Sequence, residues 1–181
     1  MSHCTMRANL ARSISKTLSL PARDVVMHSN LARFMSKEVS SLSARDIVLQ
    51  KNQELLNAVM ANDWTTYKSM CCPSLSCFEA ESRSHLAVGL DFHKYYYDLA
   101  ASSGPIPVKQ ASMASPHVRF IGKTCAILSY VRLVQFIGND GAPQTARAEE
   151  TRVWELKKQD PANSAGKRDW VHVHFHRSNW S

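Results

Sequence analysis

TCAILSYVRLVQFI, residues 124–137, and PQTARAEETRVWELKK, residues 143–158, decide the fold. In the first stretch Leu128, Tyr130, Arg132 and Val134 occupy alternate positions; in the second Ala148, Glu150, Arg152 and Trp154 do the same. A period of two belongs to a strand, whose side chains point to opposite faces in turn. Asn139-Asp140-Gly141 between them is a hairpin signal, and Gly122-Lys123 turns residues 107–121 into the same arrangement. Residues 169–177 supply a fourth strand, with Val171, Val173, Phe175 and Arg177 expected on one face.

Upstream the period changes. Ser43 with Asp46 three residues later is a capping-box-like start. Val48, Leu55, Leu56, Val59 and Met60 then recur at helical spacing and predict an amphipathic helix over 44–61. Asn62-Asp63 stops it, and Trp64–Met70 reads as a short second helix that ends before Pro73. Leu75–Phe78 fits a short strand, and Val88–Ala101 a further helix with Phe92, Tyr96 and Leu99 on one face. Helices first and a meander of strands afterwards mean an α+β domain over 44–181, with helices packed on one face of a curved antiparallel sheet. A domain of this size buries roughly two-thirds of its unfolded surface, enough for a core of its own.

Composition excludes several classes. Of 181 residues, 44% are hydrophobic and 20% charged, ordinary values for a globular chain. No apolar run approaches the roughly 18 residues of a membrane span. Cys4, Cys71, Cys72, Cys77 and Cys125 are odd in number and form no CxxC pair, which argues against a disulfide framework or zinc ribbon and for a reducing compartment. The expected location is therefore cytoplasmic.

The net charge of +7 is concentrated toward the start of the chain. Residues 1–43 hold six Lys and Arg against two acids, together with nine serines, and read as a basic, flexible or partly helical extension. Within it Met6, Leu10, Ile14 and Leu18 recur every fourth residue, with Arg7, Arg12 and Lys16 between them. That pattern fits a calmodulin target or a membrane-surface helix. It equally fits an organelle transit peptide, which would imply import, or a solvated, weakly helical tail.

Strand alternation also places chemistry. Arg132, Arg152 and Arg177 each sit on a face otherwise largely apolar or aromatic. A single such arginine usually pairs within a core or extends to an edge. Three on consecutive strands imply a semi-buried cavity in which carboxylates or an anionic ligand must face them, with Glu81, Glu149 and Glu150 the available acids.

The motifs SLSCFEAE (74–81), GLDFHKYYY (89–97), PHV (116–118), AILSYVRL (126–133), EETRVW (149–154) and VHFHRS (173–178) stand in order over essentially all of 44–181. In that order and spacing the chain resembles the association (hub) domain of calcium/calmodulin-dependent protein kinase type II. The resemblance implies a cone-shaped nuclear-transport-factor-2-like fold, with a long helix packed on a strongly curved antiparallel sheet. It implies self-assembly into an even-numbered, two-tiered ring that can gather kinase subunits bearing the same domain. It further implies that Arg132, Arg152 and Arg177, with His93, Tyr130, Glu81 and Glu150, belong to a pocket for an acidic peptide or small carboxylate. Three departures stand out: a longer hairpin filled by 157–167, Cys72 in place of an acid, and Ala100 or Ala101 where a bulkier residue is usual, which would open the pocket mouth. The six glycines form no GxGxxG, and neither HRD nor DFG occurs, so no phosphorylation by this chain is expected.

Two rival readings compete with this one, the first in the same cavity. A cone-fold isomerase or dehydratase acting on a small anion would recruit Asp91, His93 and Glu150 for proton transfer, although three arginines suit anion binding better. His172, His174 and His176 alternate along one strand and suggest a metal, but ligands strung along a strand splay apart. No metal, cofactor or nucleic-acid partner is expected. Of the four readings of Met6–Leu20, the calmodulin one is directly testable. A peptide of that stretch should gain helix and bind calcium-loaded calmodulin in a fluorescence titration, and no calcium-dependent change would remove that reading.

Overall fold

Helix α1, Ala44–Met60, starts where the Ser43 hydroxyl accepts a hydrogen bond from the Asp46 amide at 3.2 Å. The structure is a computed structural model that describes residues 42–158 and 168–179. The face of α1 carrying Val48, Asn52, Leu55, Leu56 and Ala58 is buried. After Asn62, the Asp63 carboxylate caps helix α2, Trp64–Met70, by accepting from the Thr66 amide at 3.0 Å. Strand β1, Cys71–Phe78, follows directly, then a single 3-10 turn at Ala80–Ser82, strand β2 (Ala87–Val88) and helix α3 (Asp91–Ser102). Four long strands complete the domain: β3 (Lys109–Ile121), β4 (Cys125–Ile137), β5 (Pro143–Lys158) and β6 (Arg168–Asn179). None of the described helices is long and apolar enough to cross a membrane.

The α+β reading holds, and the helix–meander order is that of the sequence. The six strands form one sheet in the order β2-β1-β6-β5-β4-β3. Its pairs are antiparallel except β1 with β6, which run parallel. Strand β1 therefore closes the sheet beside the last strand in sequence, a long-range pairing that local periodicity cannot reveal. The core lies between α1, α2 and the concave sheet face, where Val48, Leu55, Leu56, Leu75, Leu128 and Trp154 have no exposed surface. Lys51 on α1 also reaches Asp169 on β6 at 2.7 Å.

Two local expectations shift. The helix expected from Val88 starts at Asp91, because Ala87 and Val88 pair with Cys77 and Ser76 of β1. Gly89 makes the turn between them at φ +91°, a region that L side chains avoid, and its amide donates to the Leu75 carbonyl at 2.7 Å. The face expected on β6 is also wrong in part. The register slips between Val153 and Trp154, which pair with His174 and His172 and leave Val173 as an extra residue. This bulge inverts the alternation before it. Trp170 and His172 are buried with Phe175, while Val171 and Val173 are only half-buried. His172 is thereby separated from His174 and His176, so the three do not form the line of ligands considered above.

Leu128 pairs with Arg152 across the middle of the sheet and is fully buried. Replacing it with Ala should cost about 2–5 kcal/mol through lost burial and an unfilled cavity. A urea unfolding midpoint at fixed chain concentration measures this, and no shift would show that the core is centred elsewhere.

Candidate functional site

The register that pairs Leu128 with Arg152, and Glu150 with both Tyr130 and Arg177, sets polar groups side by side on the concave face. They open into a cavity of about 180 Å³ lined by Arg132, Arg152 and Arg177 from three neighbouring strands, and by Glu79, Glu81 and His93. Tyr67 and Val59 from the first two helices, Tyr96 and Tyr97 from α3, and Phe175 supply its apolar wall. The site residues named from sequence thus converge, although Tyr130 and Glu150 act behind the cavity wall.

Glu150 is the hub of this arrangement, with no exposed side-chain surface. Its Oε2 accepts from Arg152 Nε and lies 2.9 Å from both that atom and Arg152 Nη2. Tyr130 donates its hydroxyl to the same oxygen, and Arg152 Nε lies 3.0 Å from the Tyr130 oxygen. Arg132 Nη1 approaches Glu150 Oε1 at 3.1 Å, without the alignment of a hydrogen bond. Arg152 is further held above the Phe175 ring at 4.7 Å. Arg177 lies apart from this cluster and pairs with Glu79 at 3.1 Å and with Glu81. The Nε atoms of Arg132 and Arg177 are buried and have no hydrogen-bond partner among the described residues.

The charges follow from this geometry. Burial alone would raise the Glu150 pKa, but Arg152 and Arg132 outweigh it, and the carboxyl is held below its ordinary value. Burial pulls Arg152 down, and the facing Glu150 more than compensates, leaving it above the usual arginine value. Arg132 is lowered, mainly by burial. Burial raises Glu79 despite Arg177. Burial, then Arg152 and Arg177, bring His93 down to about 4, so its ring is neutral near pH 7.

Glu79 was not singled out from sequence, yet it supplies the central carboxylate of the cavity's acidic side. The signal was available: Leu75, Cys77 and Glu79 occupy alternate positions, and the first two are fully buried. Glu149 is exposed and takes no part in lining the cavity. Asp91 is exposed at the start of α3, outside the cavity lining, which separates it from His93 and Glu150 as a catalytic trio. Cys72, the departure from the acid usual in the family the sequence resembles, lies 3.3 Å from the Ser74 hydroxyl and 3.5 Å from Lys157 Nζ. Ala100 and Ala101 are exposed near the end of α3. Met6, Leu10, Ile14 and Leu18 lie outside the described residues, as does the hairpin segment 159–167.

His172 makes the domain's stability depend on pH. It is fully buried, and burial, then Arg152, depress its pKa well below 6.5. Below about 6.5 the unfolded chain therefore binds a proton that the folded chain does not, so stability is complete above that pH and falls as pH drops. His93 acts in the same direction, whereas the raised Glu79 opposes them just above 4.5. One such histidine contributes a slope of up to about 1.4 kcal/mol per pH unit. Urea unfolding at a series of pH values should show it, and His172→Gln should be shallower. An equal slope in both would remove His172 from this role.

Residues 43–181 match the family of the calcium/calmodulin dependent protein kinase II association domain. The delta subunit of calcium/calmodulin-dependent protein kinase type II from Oryctolagus cuniculus is 31% identical over 95% of this chain, and the chain spans 32% of that relative's length. Among solved structures, the hub homology domain of Chlamydomonas reinhardtii is 49% identical with a TM-score of 0.68, covering 77% of this chain and 100% of that one. The S. rosetta hub is 39% identical with a TM-score of 0.62, covering 77% and 99%. A nuclear-transport-factor-2-like protein of Salmonella enterica, 17% identical with a TM-score of 0.55 over 74% of this chain and 89% of its own, shares the fold alone. With the sheet, the helices and the family match in agreement, this chain belongs to the calcium/calmodulin-dependent protein kinase II association-domain family.

Proposed function

We propose that the chain is a non-catalytic hub that assembles with copies of itself into an even-numbered, two-tiered ring. We also propose that its arginine-lined pocket takes an acidic side chain or a small carboxylate. The association-domain family supports an oligomerisation role. The observation that carries the reading is a group of exposed apolar side chains that no described residue covers. Val108 is 92% exposed and Ile137 64% exposed, and together with Phe136 and Pro143 they line one groove at the β3 end of the sheet. Ile106, 43% exposed, continues the patch beside Val108. The same groove is lined by Gln110, Gln135, Gln144 and Thr145; exposed apolar side chains grouped among polar ones in this way fit an interaction site, and obligate assemblies bury such surface at their interfaces. Subunits of a kinase bearing the same domain are the natural co-assembling partners.

The pocket reading rests on Arg177. Of its two carboxylate partners, the Glu79 side chain is buried and that of Glu81 is 42% exposed, so an incoming carboxylate can take the place of Glu81 while Glu79 stays. The cavity is smaller than the roughly 300–1,000 Å³ of sites for drug-sized molecules, which fits one carboxylate or acidic side chain. Guanidinium groups offer forked donors matched to carboxylates.

Native mass spectrometry of the full chain should give a particle many times 20.3 kDa with an even subunit number. Glu at Val108 and Ile137 (Val108→Glu with Ile137→Glu) should shift it to smaller species, and a stable parent monomer at micromolar concentration would sink the hub reading. For the pocket, calorimetric titration with succinate should show binding that Arg177→Ala weakens about tenfold or more, the cost of one charge-assisted hydrogen bond. Glu81→Gln should strengthen it by removing the internal competitor. Equal affinity in all three proteins would reduce the arginines to a structural role.

A further inference from the structure

Beside the arginines lies a second cluster, which overlaps the proposed carboxylate pocket through Glu79 and His93. Cys77 at the end of β1, Glu79 just beyond it and His93 in the first turn of α3 bring a thiol, a carboxylate and an imidazole together. One donor atom from each lies within 4.8 Å of the other two. The Cys77 sulfur is 3.7 Å from His93 Nε2 and 3.8 Å from Glu79 Oε1, and His93 Nδ1 is 3.6 Å from the same Oε1.

These separations have a chemical meaning. At 3.6 Å the imidazole–carboxylate contact is beyond the length of a good hydrogen bond. Donors on a tetrahedral zinc ion, at bond lengths of about 2.0–2.3 Å, stand about 3.3–3.6 Å apart. The two imidazole contacts use different ring nitrogens, Nε2 toward Cys77 and Nδ1 toward Glu79, and a metal binds one of them, so bringing one nitrogen, the sulfur and Oε1 from within 4.8 Å onto one centre takes side-chain adjustment and a turn of the imidazole ring. A nucleophilic role for the thiol fits less well, because Cys77 has no exposed surface and is not part of the cavity wall. A metal ligand has no such need, since Glu79 and His93 do line the cavity and give an ion its way in.

We propose that Cys77, Glu79 and His93 form a binding site for a zinc-type divalent cation, with its fourth position open to the arginine-lined cavity. Sulfur and imidazole donors select zinc and its chemical neighbours over magnesium or calcium. On binding, the Cys77 S–H bond gives up its proton to solvent and the sulfur lone pair bonds the metal. A dication with one thiolate, one carboxylate and a neutral imidazole has no net charge, so Arg152 and Arg177 do not repel it. Glu79 is already divided in the required way: Oε1 faces the cluster, while Oε2 is held by Arg177 at 3.1 Å. Arg177 thus orients a metal ligand from behind, as outer partners do in metal sites. Water or a ligand carboxylate oxygen completes the coordination from the cavity side.

The test uses the full chain freed of metal by dialysis against a chelator, then titrated with Co²⁺ and afterwards with Zn²⁺. The expected result is a sulfur-to-cobalt charge-transfer band with tetrahedral ligand-field bands, saturating at one ion per chain and bleached by zinc. Cys77→Ser should abolish the charge-transfer band, while His93→Gln and Glu79→Gln should each weaken binding at least about tenfold. Arg177→Gln should weaken it about tenfold through the freed carboxylate. Cys4→Ser, Cys71→Ser and Cys72→Ser should leave the band intact. Circular dichroism and assembled mass establish that each variant is folded, and the His93 and Glu79 variants decide the matter if Cys77→Ser does not fold. The absence of the band in the folded parent overturns the site, as does its persistence in Cys77→Ser or its loss in Cys4→Ser, Cys71→Ser or Cys72→Ser. Succinate binding to the metal-free chain is measured separately, so failure here leaves the carboxylate reading standing.

Discussion

The concave face depends on a single buried carboxylate. Glu150 has no exposed side-chain surface, yet it sits between Arg152 and Arg132 and receives the Tyr130 hydroxyl. Without it, two guanidinium groups would be left in a low-dielectric interior, and breaking a buried pair of this kind costs about 3–5 kcal/mol. Without the arginines, Glu150 would be equally stranded. Each member is tolerable only because the others are in place, so the network locks β4 and β5 into one register beyond what apolar burial requires.

That lock has an electrostatic surplus. Glu150 absorbs the charge of Arg152 and shares itself with Arg132, whose Nε remains without a hydrogen-bond partner among the described residues. Arg177 is balanced from the other side by Glu79 and Glu81, the latter at the surface. The cavity therefore has a fixed inner half and an adjustable outer half. An anion of the proposed kind would draw on the outer half without disturbing the groups on which folding depends.

Much of this was legible in the chain itself. Ser43 and Asp46 marked the start of α1, and period-two alternation in 124–137 and 143–158 put Tyr130, Arg132, Glu150 and Arg152 on a shared face. Such signals are local, and local backbone preference agrees with tertiary packing there. What escaped was non-local or irregular. The parallel partnership of β1 with β6 joins residues about a hundred positions apart. The bulge at Val173 has no composition signature, and it moved His172 inward and Val171 outward against the expected alternation. Glu79 escaped because Glu81 shares its phase in the alternation of Leu75 and Cys77, and only the end of β1 at Phe78 with the 3-10 turn at Ala80–Ser82 tells them apart.

The bulge also makes chain length count as much as chemistry in β6. Trp170 and His172 point inward before Val173, and Phe175 and Arg177 do so after it, because one surplus residue reconciles two opposite phases of the strand. Deleting that residue would leave every other side chain chemically unchanged while turning one half of the strand inside out. Either the indole and imidazole would leave the core, or the ring beneath Arg152 and the Arg177 guanidinium would face solvent. Conservative replacements at Val173, which keep the count, are thus far milder lesions than its removal.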